Sequence, residues 1–86
     1  MANHASALKR ARQNEERRMR NKAYRTRVRG AVKSVRQAIS AKDQEAARAA
    51  LKAAEPIIDK AASKGVLPKR TAARKISRLA KQVHAL

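Results

Sequence analysis

The chain has 86 residues, with 23 Lys or Arg against 6 Asp or Glu and a formal charge of +17. That length holds a single domain, and the charge favours phosphate polymers or anionic surfaces as partners while opposing self-association. With no cysteine, disulfides and thiolate-held zinc are excluded, and with one Tyr, no Phe and no Trp, base-stacking platforms and RNA-recognition sheets are disfavoured.

Two Gly and two Pro leave little turn chemistry, and the abundant Ala is the best helix former. The expected class is all-α. His4 and His84 stand far apart, which argues against a metal site. No apolar run approaches the roughly 20 residues of a membrane span, and MANHASALKR lacks the apolar core of a signal peptide. A soluble, cytoplasmic protein without cofactors is the expectation.

Charge divides the chain into three blocks: residues 1–36 carry net +10, residues 37–63 net 0, and residues 64–86 net +7. Ser6 is a good N-cap residue for a first helix reaching about Ile39. Val28, Val32, Val35 and Ile39 follow i, i+4, i+7, i+11 spacing on one face, which Tyr24 extends back by one turn. Before Tyr24 the stripe fails, because Met19 and Leu8 fall about 180–200° from Val28 at ~100° per residue. The first helix therefore has a core-forming end and a basic end with no core face.

In that basic end, RRMRNKAYRTRVR at 17–29 has seven Lys or Arg and no acid. Counted from Lys9, Arg12, Arg20 and Arg27 lie on one side, Arg10 and Arg17 about a quarter-turn away, and Arg18, Lys22, Arg25 and Arg29 opposite. A helix charged nearly all round suits a crevice between several phosphate backbones better than one flat surface. Arg exceeds Lys here, and its planar fork fits bidentate phosphate contact. A-form RNA is read through its backbone and 2′-hydroxyls, for which Asn3, Ser6, Gln13 and Asn21 supply hydrogen-bonding groups. The competing reading of this run is a solvated, disordered tail.

SAKD at 40–43 breaks the pattern, with Asp43 the expected N-cap of a second helix. Ala47, Ala50, Leu51, Ala54, Ile58 and Ala61 follow helical spacing, Pro56 within them predicts a kink, and Gly65 suits the C′ position. A third helix starts near Pro68, a good first-turn residue. Its apolar face is Ala72, Ile76, Leu79, Ala80, Val83 and Leu86, with Arg70, Arg74, Arg78 and Lys81 on the opposite side. These elements predict a three-helix up-down-up bundle with a long, protruding basic N-terminal helix. A single domain over 1–86 is expected, with a basic extension over 1–23 and the bundle over 24–86. Thirteen Val, Ile or Leu from Val28 onward make a thin core, so a marginal fold with a largely disordered N-terminal part is expected for the free protein.

Isolated features carry bland readings. Glu15 and Glu16 are expected to pair with Arg18 and Arg20. Glu55 and Asp59 read as a solvated face rather than a magnesium site, Tyr24 as core packing rather than base stacking, and His4 and His84 as surface residues. Gly30 lies off the core face, either admitting a close sugar-phosphate strand or merely tolerated. No nucleophilic triad or glycine-rich phosphate loop is present, and no enzyme is expected.

Two separated stretches resemble one family. The opening keeps Ala2-Asn3, Ser6-Ala7, Lys9-Arg10, Arg12-Gln13, Glu15, Arg17-Arg18 and Arg20-Asn21. The C-terminal part keeps Lys64-Gly65, Lys69, Ala72-Ala73-Arg74-Lys75 and Ser77-Arg78-Leu79. Together with the length and character of the middle, these resemble the bacterial small-subunit ribosomal protein S-twenty family across the whole chain. Pro68-Lys69-Arg70 stands where that family often has His-Lys-Asn, and His4 replaces a usually aliphatic or basic residue.

The resemblance implies a three-helix bundle that binds small-subunit ribosomal RNA directly and early in assembly. It would bridge the five-prime domain and the long penultimate stem, as a monomer within the cytoplasmic ribosome with few protein contacts. The RNA-binding residues expected are Asn3, Ser6, Lys9, Arg10, Arg12, Gln13, Arg17, Arg18, Arg20, Asn21, Lys22, Arg25, Arg27 and Arg29 in the first helix. In the third they are Lys69, Arg70, Arg74, Lys75, Ser77, Arg78 and Lys81. The alternative is a DNA-compacting architectural protein, although minor-groove benders carry apolar wedges or a β-arm that this chain does not show. A membrane-active cationic helix is disfavoured because the basic segment lacks a one-sided apolar face.

Overall fold

The computed structural model describes residues 2–86, with side chains described from His4 onward. Three helices account for nearly all of it: α1 Ala2–Ser40, α2 Gln44–Ser63 and α3 Lys69–His84. No strand occurs among the described residues. The helices follow the expected up-down-up order, and α2 is the central element, packing along both α1 and α3, which touch each other little.

Both inter-helix turns are built from local hydrogen bonds. After α1, Lys42 takes a left-handed conformation at φ 56°, its N–H bonding Ile39 O. The Asp43 N–H then reaches Ala38 O, which completes the helix-ending motif normally built around glycine. Asp43 caps α2 as expected, accepting at Oδ1 from the Ala46 N–H at 3.1 Å. At the far end of α2 the same motif uses Gly65 at φ 77°, with Gly65 N bonding Ala62 O and Val66 N bonding Ala61 O. The Val66 side chain is buried against that last turn.

α2 runs through Pro56 to Ser63, with the proline ring on its exposed side. Two starts differ from the sequence reading. Helix α1 already begins at Ala2, so Ser6 lies inside it rather than capping it; Ala and Leu around Ser6 favour helix, so the turn before it needs no stop. Pro68 is the N-cap of α3 in extended conformation, one position before the first turn.

The core comprises Val28 and Val35 from α1, Ala47, Leu51, Ala54, Ile58 and Ala61 from α2, Val66 from the turn, and Ala72, Leu79 and Val83 from α3. On α2 these positions step by four and three, the spacing of helices packed at shallow angles. Ala recurs every seventh residue at 47, 54 and 61, and its lack of bulk lets the neighbouring helix axes approach closely. Tyr24, Val32, Ile39 and Ile76 pack half-buried around this centre. Tyr24 is therefore a core-packing residue, with the Arg27 guanidinium 5.7 Å from its ring centroid.

The apolar stripe ends at Tyr24, and every described side chain from His4 to Arg20 is exposed, Leu8 and Met19 included. That stretch projects roughly 25 Å at 1.5 Å per residue. The projection shows in the dimensions. The radius of gyration is 17.5 Å, against about 12 Å for a compact chain of this length. The accessible surface is 6875 Å², against roughly 5,000 Å² for a compact protein of this mass.

Candidate nucleic-acid interface

The basic residues of α1 are carried by one continuous helix, Ala2–Ser40. From Lys9 to Arg29 all are exposed: Lys9, Arg10, Arg12, Arg17, Arg18, Arg20, Lys22, Arg25, Arg27 and Arg29. Helical geometry puts them around the whole circumference, as their spacing predicts. Ser6 and Gln13 are exposed as well. Asn21 is half-buried, and its Oδ1 is covered without a hydrogen-bond partner, so it is the least accessible of the polar groups expected to meet RNA. The side chain of Asn3 lies outside the described residues.

These cations are almost free of internal partners. The described residues contain one ion pair, Arg18 to Glu15 at 2.8 Å, three residues apart on the exposed arm. The expected partnership of Glu16 with Arg20 does not form. An exposed pair of this kind contributes little to stability. The hydroxyls of Thr26 and Ser34 turn back onto the helix, donating to Lys22 O and Gly30 O at 2.9 and 3.1 Å.

On α3, Lys69, Arg70, Arg74, Lys75, Ser77, Arg78 and Lys81 are all exposed while Ala72, Leu79 and Val83 are buried. They do not share one surface. Lys69 lies towards α2, lining a shallow depression with Asp59. Lys75, Arg74 and Arg78 instead form one wall of a trough between α3 and α1. The facing wall is made by Arg29, Lys33 and Arg36, and the floor by Val28, Val32 and Leu79. Two adjoining depressions make up this trough and share Val32, Arg36 and Lys75. No acidic residue lines either one.

Lys33 and Arg36 were not among the residues that the sequence reading assigned to a partner. The signal was present: both flank the apolar stripe at Val32 and Val35, so a helical wheel continued past Arg29 places them beside the core face. What sequence alone lacks is that α3 leaves that flank open.

Among the described residues, no helix is long and apolar enough to cross a membrane, and no cluster of three potential metal ligands occurs. Glu55 is half-buried and Asp59 exposed, and His4 and His84 are both on the surface.

The profile of the family described as "Ribosomal protein S20" matches residues 2–84 of this chain. The chain belongs to the ribosomal protein S20 family. It is 58% identical over 86 residues to the "Small ribosomal subunit protein bS20" of Desulfatibacillum aliphaticivorans, covering all of this chain and 98% of that one. The protein of the same description from Syntrophobacter fumaroxidans is 55% identical, with both chains covered completely. That of Geobacter metallireducens is 50% identical, with 100% and 99% covered. Membership in the S20 family therefore extends to the basic arm, the bundle and the two exposed basic surfaces alike, and bears out the resemblance carried by the N- and C-terminal motifs.

Proposed function

We propose that this protein is a structural constituent of the small ribosomal subunit, where it binds small-subunit ribosomal RNA through Arg and Lys contacts to phosphate and bridges RNA helices. The observation that carries the reading is the exposed basic stretch of α1: ten Lys or Arg from Lys9 to Arg29, arranged around a helix that has no core face before Tyr24, with one carboxylate partner between them. A cation array that the protein does not neutralise itself is matched by phosphates on several sides. The relatives are named as small ribosomal subunit proteins, which supports ribosomal RNA over DNA as the source of those phosphates.

In this reading residues 1–23 are the RNA-binding extension and residues 24–86 the bundle that positions it. Lys9, Arg10, Arg12, Arg17, Arg18, Arg20, Lys22, Arg25, Arg27 and Arg29 neutralise backbones on different sides of α1, while Asn3, Ser6, Gln13 and Asn21 supply shorter polar contacts. On α3, Lys69, Arg70, Arg74, Lys75, Ser77, Arg78 and Lys81 form the second contact surface. The RNA elements joined are the five-prime domain and the long penultimate stem. The protein acts as a monomer in the cytoplasmic ribosome, with few protein contacts and no catalytic role.

The test is a titration near physiological salt with three partners: a transcript of the five-prime domain, an unrelated folded RNA of equal length, and duplex DNA. Preference for the ribosomal transcript by tenfold or more, about 1.4 kcal/mol, is the expected result. Equal binding to all three would reduce the protein to a polycation and favour the DNA-compacting alternative.

A further inference from the structure

The trough between α1 and α3 differs in kind from the arm. Its two walls are fixed by the core: Val28 and Val35 are buried beneath the α1 wall, and Leu79 and Val83 beneath the α3 wall. Its shape therefore exists before any partner arrives, whereas the arm has no tertiary packing to hold it. Six cations line its length: Arg29 and Lys33 in one depression, Arg74 and Arg78 in the other, and Arg36 of α1 and Lys75 of α3 in both. None has a carboxylate within ion-pair distance among the described residues. Such a concentration of like charge along an apolar-floored depression raises the potential inside it and costs the free protein stability.

The trough is open along its length rather than closed. On α1 it runs from Val28 to Ser40, about 18 Å at 1.5 Å per residue. That form fits a charged polymer laid lengthwise and offers no enclosure for a small anion. Its centre near Lys33 lies roughly 27 Å along the same helix from the middle of the arm near Glu15, so a strand in the trough is a different stretch of polymer from one beside the arm.

We propose that the α1–α3 trough is a preformed RNA-backbone site, separate from the arm, that holds one phosphodiester strand between Arg29, Lys33 and Arg36 on one side and Arg74, Lys75 and Arg78 on the other. This rests on the ribosomal reading above and deepens it by adding Lys33 and Arg36 and by making the site a two-walled channel instead of one face of α3. Arg forks on both walls reach the non-bridging oxygens from opposite sides, and the apolar floor lies against the sugars.

Three full-length triple variants, each lowering the charge by three, separate the possibilities. The trough variant is Arg36→Gln, Lys75→Gln and Arg78→Gln. The arm variant is Arg10→Gln, Arg17→Gln and Arg20→Gln. The control is Arg48→Gln, Lys52→Gln and Lys60→Gln, exposed positions of α2 that line neither depression. Each is titrated against the small-subunit RNA over a range of salt and footprinted with hydroxyl radicals. The trough variant is expected to lose about tenfold or more in affinity and to flatten the salt slope by about 2 or more, since each lost phosphate contact removes close to one unit. It should lose protection at one set of nucleotides while the arm variant loses it at another. The control should lose less than the trough variant and leave both sets protected. Because the substitutions relieve repulsion at exposed sites, no variant should lose helicity by dichroism, and Lys75→Gln alone, shared by both depressions, provides a milder variant. If the trough and control variants behave alike while the wild type still prefers ribosomal RNA, the trough proposal is overturned and the ribosomal reading stands. If the wild type shows no such preference, both fall.

Discussion

The backbone N–H of Asp43 donates to the carbonyl oxygen of Ala38 at 3.1 Å. The same residue accepts at Oδ1 from the N–H of Ala46. One aspartate thus ends α1 and begins α2, which sets the angle at which the two helices leave the turn. Loss of the carboxylate in Asp43→Ala should destabilise the protein by about 1 kcal/mol, the usual value of an N-cap. The neighbouring Lys42 holds a positive φ of 56°, which favours glycine, so Lys42→Gly should raise stability by about 0.5–1 kcal/mol. Urea titrations of both variants check the pair of opposite signs.

Gly30 lies inside α1 with nothing within 4 Å of where a Cβ would stand. Gly30→Ala should therefore stabilise the free protein by about 0.5–1 kcal/mol through helix propensity alone. A urea midpoint that falls would refute this. RNA affinity that drops despite a gain in stability would show that a sugar-phosphate strand lies against that part of the backbone.

Ile58 is completely buried and has one of the largest side chains in the core. Truncation to Ala should cost about 2–5 kcal/mol. In a protein whose core is this thin, that cost should abolish the cooperative thermal transition. A retained transition within a few degrees of wild type would mean that the helices stand without this contact.

Affinity for ribosomal RNA should depend steeply on salt. If roughly eight phosphates are neutralised, binding should weaken on the order of 10³-fold or more between 50 and 200 mM monovalent salt, by analogy with duplex DNA. A nearly flat response in a filter-binding series would remove the electrostatic basis of the interface.

The free protein should be less helical than its folded structure, in which α1, α2 and α3 together span almost the whole chain. The described side chains from His4 to Arg20 form no core face, and close-set cations repel, so the arm should fray at low salt and gain helix on adding RNA or high phosphate. Far-UV dichroism of the isolated protein reading about 80% helix at low salt would contradict this.

Much of this was legible in the sequence because helical period and charge point the same way. The stripe from Tyr24 to Ile39 and the spacing in α2 correctly separate core from surface, and Asp43 and Gly65 mark their helix ends by chemistry that needs no tertiary context. Ser6 misled because a good cap residue also sits readily inside a helix when no competing stop surrounds it. The α1–α3 trough was hidden for a different reason. Helical wheels place Arg36 and Arg78 on their own helices, but only packing against α2 decides whether two such flanks close on each other or stand apart. Lys42 was equally silent, since its positive φ is imposed by the turn and not by its own preference.

The backbone spans 64 × 21 × 14 Å along its principal axes, about three times longer than it is wide and only two helix layers thick. It has the proportions of a blade. Alanine at every seventh residue along the core face of α2 keeps it thin, and the missing Phe and Trp, costly for stability, would each have widened it. In the ribosomal setting proposed above, such a protein would be selected for its thickness as much as for its own stability. Enlarging Ala47 or Ala54 should spread the helices and weaken RNA binding even where the isolated fold tolerates the change.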